Sequence, residues 1–213
     1  MTELYLIRHA QSLGNMTGRF LGQTDLDLSE LGFFQAQLLK EYLKTLQIDS
    51  IYSSSLKRAY NTIKPYAVET KKDITSEDSF REIYAGEWEN MKFDDIEEKY
   101  PEDYGNVWLK NIGLGKCPGG ESIEDLQKRV YTRIEELCRE NEGKTIAVVS
   151  HGAAIRSFMC KAYGMELSKM KDIEWVSNSS VTHIIYKDGK FEFDFISYDD
   201  FLGDNISSLP KNV

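Results

Sequence analysis

Cysteine is scarce in this sequence. Cys117, Cys138 and Cys160 are odd in number, far apart and without a C-x-x-C pair. That argues against a disulfide framework and a thiolate metal site, and it fits a reducing, intracellular setting. Long hydrophobic runs are missing too: nothing approaches the ~18 apolar residues of a membrane span. The N-terminal run Leu4-Tyr5-Leu6-Ile7 is broken at once by Arg8 and His9, too short for the apolar core of a signal peptide. A cytoplasmic location is expected, and the glycosylation-type triplets at Asn15, Asn178 and Asn205 then carry no meaning. Positive charge is in the minority. With 26 basic and 35 acidic residues the net charge is −9, a field that repels nucleic acid and anionic membrane surfaces. An anionic ligand would need the few basic residues gathered in one pocket.

What is present is a chain of 213 residues, 41% hydrophobic, 12% aromatic and 29% charged, with no repeats or low-complexity tracts. This composition suits a sizeable buried core rather than a disordered tail, a collagen or a coiled coil. One α/β domain spanning 1–213 with an elaborating insert is expected. Leu4 to Ile7, Ile51 to Tyr52 and Thr145 to Val149 read as buried strands of a partly parallel sheet. Between the first two, Ser29 caps a helix whose apolar stripe is Leu31, Phe34, Leu38, Tyr42 and Leu46, and Ser55 caps the next helix. The clearest helix runs from about Glu121 to Glu142, with Ser122 and Asp125 as a capping box, a stripe at Ile123, Leu126, Val130, Ile134 and Leu137, and Gly143 as the stop. Val181 to Tyr186 and Phe191 to Ile196 flank an Asp188-Gly189 turn and predict a hairpin. The fold class is therefore three-layer α/β/α with a mixed, mostly parallel central sheet. Residues 90–117 break the rhythm with an acidic run, Tyr100-Pro101 and Trp108, and read as an inserted lid.

Histidine is as rare as cysteine, and only His9, His151 and His183 occur. The first two directly follow buried strands, in the contexts Arg8-His9-Ala10 and Ser150-His151-Gly152. Ligands of open α/β sheets bind outside the carboxyl ends of the strands, so the two imidazoles can converge there. A third strand end leads through Ser53-Ser54-Ser55 to Arg58 in the first turn of a helix. A helix N-terminus with a guanidinium is an anion site, and Arg58 together with Arg8 would cradle a tetrahedral dianion. His183 falls inside a strand and reads as structural.

The string Arg8-His9-Ala10-Gln11-Ser12-Leu13-Gly14-Asn15, then Arg19-Phe20-Leu21-Gly22-Gln23-Thr24-Asp25 and Leu28-Ser29-Glu30-Leu31-Gly32, resembles the opening of the histidine phosphatase superfamily in its phosphoglycerate mutase-like branch. The resemblance continues through Ser53-Ser54, Arg58-Ala59 and Thr62, then Arg81-Glu82-Ile83 with Gly86-Glu87-Trp88-Glu89. Pro118-Gly119-Gly120-Glu121-Ser122, Ser150-His151-Gly152 with Ile155-Arg156, and Asn178 with Ser180 complete it. It implies a phosphoryl group held by Arg8, Arg58, His9 and His151, with His9 as nucleophile and Glu82 as general acid and base. Asn15, Gly22 and the Gly152 amide are implied as substrate contacts. No metal or other cofactor is implied, because fixed cations and N–H donors can stabilise the spread charge of phosphoryl transfer. Ala10, Gln11, Ser12, Leu21 and Asn90 depart from the family's usual residues without removing a charged catalytic group.

Mutases of this branch carry E-R-H-Y-G followed by L-x-G-L-N-K, where this chain has Glu82-Ile83-Tyr84-Ala85-Gly86-Glu87-Trp88-Glu89 and an acidic insert. A doubly phosphorylated cofactor would be repelled there unless Lys92, Lys99, Lys110 or Lys116 folds inward. The expected activity is thus a metal-independent phosphomonoester phosphatase. Phosphoglycerate mutase-type transfer and a catalytically silent phospholigand-binding module are the alternatives. Gly113-Leu114-Gly115-Lys116-Cys117 lacks the spacing of a phosphate-binding loop, and there is no H-E-x-x-H. The expected partner is a small phosphorylated metabolite, with no nucleic acid and no membrane, and a homodimer is left open. Phe20, Leu21, Gln23, Tyr84, Trp88, Phe93, Tyr100, Tyr104 and Trp108 are the candidates for selecting it, since aromatic surfaces can bury the non-phosphate part.

Overall fold

A computed structural model describes residues 1–207, so the last six residues of the expected domain lie outside the described part. Along the chain run β1 (Thr2–Arg8), β2 (Arg19–Phe20), α1 (Glu30–Leu43), β3 (Ser50–Ser54), α2 (Lys57–Thr70), β4 (Ile74–Glu77) and β5 (Met91–Lys92). There follow α3 (Phe93–Lys99), α4 (Ile123–Glu140), β6 (Thr145–Ser150), α5 (Gly152–Ala162), β7 (Val181–Lys187) and β8 (Lys190–Tyr198). Six strands form one sheet in the order β4-β3-β6-β1-β7-β8, and β2 pairs with β5 in a separate ribbon. From β4 to β1 the neighbours are parallel, and β7 and β8 add the antiparallel edge.

Alternation along β1 and β6 sets the layers. Leu4, Leu6, Ile146 and Val148 face the buried stripe of α4, while Tyr5, Ile7, Ala147 and Val149 face α1 and α2. Both faces of these strands are covered, which is why they read as continuous apolar runs. In α4 the Ser122 hydroxyl accepts from Asp125 N while the Asp125 carboxylate accepts from Ser122 N. Ile123, Leu126, Val130, Ile134 and Leu137 are all buried, each stabilising by about 1.5–3 kcal/mol before its entropy cost. The helix ends at Glu140, and Gly143 turns the chain into β6 at φ 80°.

Two local expectations are corrected. The buried face of α1 is Gly32, Gln35, Ala36, Leu39 and Leu43, whereas Phe34 is 51% exposed. The cause is close approach of backbone: a Cβ on Gly32 would lie 1.9 Å from Gln11 O. Gln35 is tolerated inside because it accepts from Gln11 N and donates to Asn205 O. In α2 the cap residue is Leu56, not Ser55. The Asp25 carboxylate accepts from Lys57 N instead, so a tertiary contact replaces the local cap. Ser55 bonds Asp78 and Arg81.

Residues 90–117 form β5, α3, a π-helical stretch Pro101–Trp108 and a short 3-10 turn Ile112–Leu114. Phe93, Ile96, Tyr104, Trp108, Ile112 and Cys117 are buried, while Asp94, Asp95, Glu97, Glu98, Glu102 and Asp103 are exposed. The acidic run is the outer face of a segment that packs Phe20 and Trp88 against its inner one. All three cysteines are free and buried, and burial pushes each thiol above its ordinary range.

Candidate active site

Parallel pairing brings Arg8 opposite Ser150, and His9 N donates to Ser150 O. The residues just past β1 and β6 are therefore neighbours, and the His9 and His151 rings lie 5.0 Å apart, both buried. A cavity of about 100 Å³ opens at this edge of the sheet. Arg8, His9, Asn15, Gly22, Arg58, Glu82 and Gly152 all line it, as do Arg19, Phe20, Leu21, Ile83, Phe93, Trp108 and Trp175.

The His9 ring is held in one tautomer. Its Nδ1 lies 2.7 Å from Ala10 O, an acceptor only, so Nδ1 carries the proton and Nε2 keeps its lone pair. Asn178 Nδ2 donates to His9 O, and Thr62 accepts from Ala10 N, which fixes the backbone on both sides. Burial holds His9 well below the ordinary imidazole range, and Arg58 and Arg8 push it the same way. The ring is neutral.

Arg58 crosses the site and spends three of its five N–H groups on the protein: Nη2 to Gly22 O at 2.7 Å, Nη1 to Thr24 O at 2.8 Å and Nε to His151 Nδ1 at 3.2 Å. Arg8 donates from Nη1 to Val176 O, while its Nε is buried with no partner among the described residues. Burial brings both guanidiniums down to about 10, still charged at neutral pH. A charged guanidinium in a cavity wall, with N–H groups not spent on the protein, is a place for an anion.

Two glycines leave the room. Gly22 has φ 50°, and a Cβ there would meet the Glu89 carboxylate at 2.3 Å. That carboxylate accepts from the amides of Gln23, Thr24 and Ala85, tying the 22–24 loop under the cavity. Gly152 opens α5, and a Cβ on it would lie 2.5 Å from the Trp175 ring. Asn15 accepts at Oδ1 from Ser12 N and Oγ, which orients its amide at the rim. Glu82 accepts from Ala153 N at 3.0 Å, Ala154 N at 3.2 Å and Ile83 N at 2.9 Å, so one carboxylate both lines the cavity and caps α5.

His151 departs from the expected arrangement. It does not line the cavity, and both ring nitrogens are taken: Nδ1 accepts from Arg58 and Nε2 donates to Ser54 Oγ at 2.8 Å. It stands behind His9 and aims Arg58. Of the selectivity candidates, Phe20, Leu21, Phe93 and Trp108 line the cavity, and Gln23, Tyr84, Trp88, Tyr100 and Tyr104 do not. Trp88 supports the wall from behind, Gln23 donates to Glu82 O, and Tyr84 is 46% exposed. Sequence reasoning missed Trp175, which no local pattern marks: the chain here is brought to the site by tertiary contacts, Val176 O with Arg8 and Asn178 and Ser179 with the backbone of Arg8 and His9.

The family model described as histidine phosphatase superfamily (branch 1) matches residues 4–199. The chain belongs to this superfamily. Among curated relatives, phosphoserine phosphatase 1 of Hydrogenobacter thermophilus is 39% identical over 79% of this chain and 80% of its own length. Among solved structures, Bacillus stearothermophilus YhfR superposes with a TM-score of 0.90 at 26% identity, covering 95% of this chain and 100% of that one. Phosphoserine phosphatase from Entamoeba histolytica, in complex with 3-phosphoglyceric acid, does so with a TM-score of 0.82 at 30% identity, covering 95% and 100%. By family and fold the chain is a phosphoric monoester hydrolase of the histidine phosphatase type. Among the described residues no helix is long and apolar enough to cross a membrane.

Neutral buried histidines make this histidine phosphatase sensitive to acid in a defined way. Burial is the leading cause for His151 too, followed by Arg58 and His9. An unfolded imidazole takes up a proton below about 6.5, and the folded ones do not, so the unfolded state binds more protons and stability falls as pH falls. Each histidine contributes a slope of about 1.4 kcal/mol per pH unit until the folded ring itself titrates. Denaturant unfolding between pH 7 and 5 should show this fall, and His9→Gln should reduce its slope by about one proton. An unchanged slope in the variant refutes the assignment.

Proposed function

We propose that this chain is a metal-independent phosphomonoester phosphatase of the cytoplasm that works through a phosphohistidine on His9. One observation carries the reading: the Nδ1–H bond to Ala10 O leaves Nε2 as the nucleophilic nitrogen of a neutral ring in a cavity walled by two guanidiniums. The phosphoryl group of the substrate sits between Arg8 and Arg58, taking the guanidinium N–H groups not spent on the protein, with Asn15 and the Gly152 amide beside it. His9 Nε2 attacks phosphorus, the bond to the ester oxygen breaks, and Glu82 gives that oxygen its proton. Water then attacks the phosphohistidine, Glu82 takes a proton back, and inorganic phosphate leaves. His151 aligns Arg58 and backs the nucleophile.

The far wall favours hydrolysis over transfer to a second phosphorylated molecule. Among the described residues the cations lining the cavity are Arg8, Arg19 and Arg58, and Lys92, Lys99, Lys110 and Lys116 are not among the lining residues. Leu21, Phe20, Phe93, Trp108 and Trp175 make the rest largely apolar, which suits a small leaving group. In this reading 1–213 is one domain, 90–117 its lid, and the partner a small phosphorylated metabolite. The relative named a phosphoserine phosphatase makes phosphoserine the first ester to try.

The test is turnover of a phosphomonoester panel in EDTA, following free phosphate and isomerised product together. Stoichiometric phosphate release, unchanged by the chelator, is expected. Isomerisation with little release would favour the mutase, and an activity lost in EDTA and restored by one divalent metal would overturn the mechanism.

A further inference from the structure

The amides of Ala153 and Ala154 meet the Glu82 carboxyl, but Glu82 stands on an irregular stretch whose only regular element is the 3-10 turn Asp78–Phe80, so the backbone that carries it must be fixed from outside that stretch. Arg129 of α4 fixes it. Its Nη1 donates to Arg81 O at 2.7 Å and Ser79 O at 3.1 Å, and Nη2 donates to Glu82 O at 2.8 Å. The same guanidinium is forked by Glu121, Nε to Oε1 at 2.8 Å and Nη2 to Oε2 at 2.9 Å. All five N–H groups are thereby used. Glu121 adds a second tie, accepting from Tyr84 N through Oε2 and donating from its own N to Tyr84 O. Arg129 does not line the cavity, so it touches no substrate.

We propose that Arg129, held by Glu121, is a positioning residue that sets the Glu82 carboxyl against the leaving oxygen by gripping the backbone that carries it. The inference rests on the reading of Glu82 as the proton donor. α4 is rigid through its buried stripe, and a planar fork transmits that rigidity to the carbonyls of Ser79, Arg81 and Glu82, which the single ammonium of lysine cannot match. A misplacement of about 1 Å in a reacting group costs on the order of 10²-fold. In the first step, formation of phosphohistidine, only an ester whose leaving oxygen needs the proton suffers; the second step, in which Glu82 takes a proton from water, is the same for every ester. An alkyl ester leaves as an alkoxide and requires the donated proton, whereas a nitrophenyl ester leaves as a stable phenolate and does not.

The experiment compares kcat/KM, which reports phosphohistidine formation alone, for an alkyl phosphomonoester and for nitrophenyl phosphate in the wild type, Arg129→Gln, Arg129→Lys, Glu121→Gln and Glu82→Gln, with thermal melts of each. The expected result is a loss of about 10- to 100-fold on the alkyl ester in Arg129→Gln, with less than about threefold on the aryl ester. Arg129→Lys and Glu121→Gln, which loosen the same fork from either side, should repeat the pattern in milder form and stand in if Arg129→Gln does not fold. Equal loss on both esters, or no loss on either, overturns the proposal and marks a merely structural ion pair. If Glu82→Gln itself shows no preference between the esters, the reading of Glu82 fails and the inference falls with it. If only the Arg129 and Glu121 variants lack that preference, Glu82 keeps its role and Arg129 loses the one proposed.

Discussion

His9→Ala is expected to stop phosphate release almost completely, with a fall of about 10⁴-fold or more, while the protein still binds the ester. The two effects separate because, in the proposed mechanism, the groups that hold phosphate are not the group that attacks it. Arg8 and Arg58 reach the cavity from β1 and α2, and their protein hydrogen bonds do not involve the His9 ring. Removing the ring takes away Nε2 and its contact with His151 but leaves the guanidiniums charged and aimed. Acid-labile phosphate on the wild-type protein, absent from the variant, is the measurement that decides it. Turnover that survives the substitution would mean that water attacks directly or that another side chain is the nucleophile, and binding without turnover in the wild type itself would mark a silent module.

The second large effect is expected in Glu82→Gln, where kcat/KM for alkyl esters should fall by about 10²- to 10⁴-fold. An amide keeps the shape of the carboxyl but has no proton to give. It also has only one acceptor oxygen, whereas Glu82 uses both, receiving Ile83 N and Ala154 N on Oε1 and Ala153 N on Oε2. The NH₂ group must then face a backbone N–H, so the start of α5 loses part of its cap, at a cost of about 1 kcal/mol. A lower melting temperature together with the selective kinetic loss is the signature. A variant that melts earlier but hydrolyses alkyl esters at the wild-type rate would leave Glu82 a cap and nothing more.

Much of this site was legible in the chain because its groups come in local units. Arg8-His9 and Ser150-His151 each end a buried strand, and parallel pairing of those strands is enough to bring the histidines together. The capping box and stripe of α4 and the Asp-Gly hairpin are equally local, and the structure keeps them. Illegible parts depend on contacts between distant segments. The face that α1 buries is chosen by Gly32 and Gln35 meeting Gln11, which a count of apolar residues misplaces by one position. The carboxylate that starts α2 comes from Asp25, and Trp175 covers Gly152 from across the fold. His151 reads as a phosphate ligand until Ser54 and Arg58 are found on its two nitrogens. Arg129 is one basic residue among 26 in the sequence, and only the carbonyls of Ser79, Arg81 and Glu82 gathered beside it give it a purpose.

The three sealed thiols give the molecule an internal clock. Cys117 closes the inserted segment, Cys138 lies in α4 and Cys160 in α5, each almost wholly shielded from solvent. A thiol so placed, and kept in its protonated form, meets an alkylating reagent only when its own part of the fold opens. Labelling order among the three therefore ranks the opening of insert, core helix and active-site helix without any engineered probe.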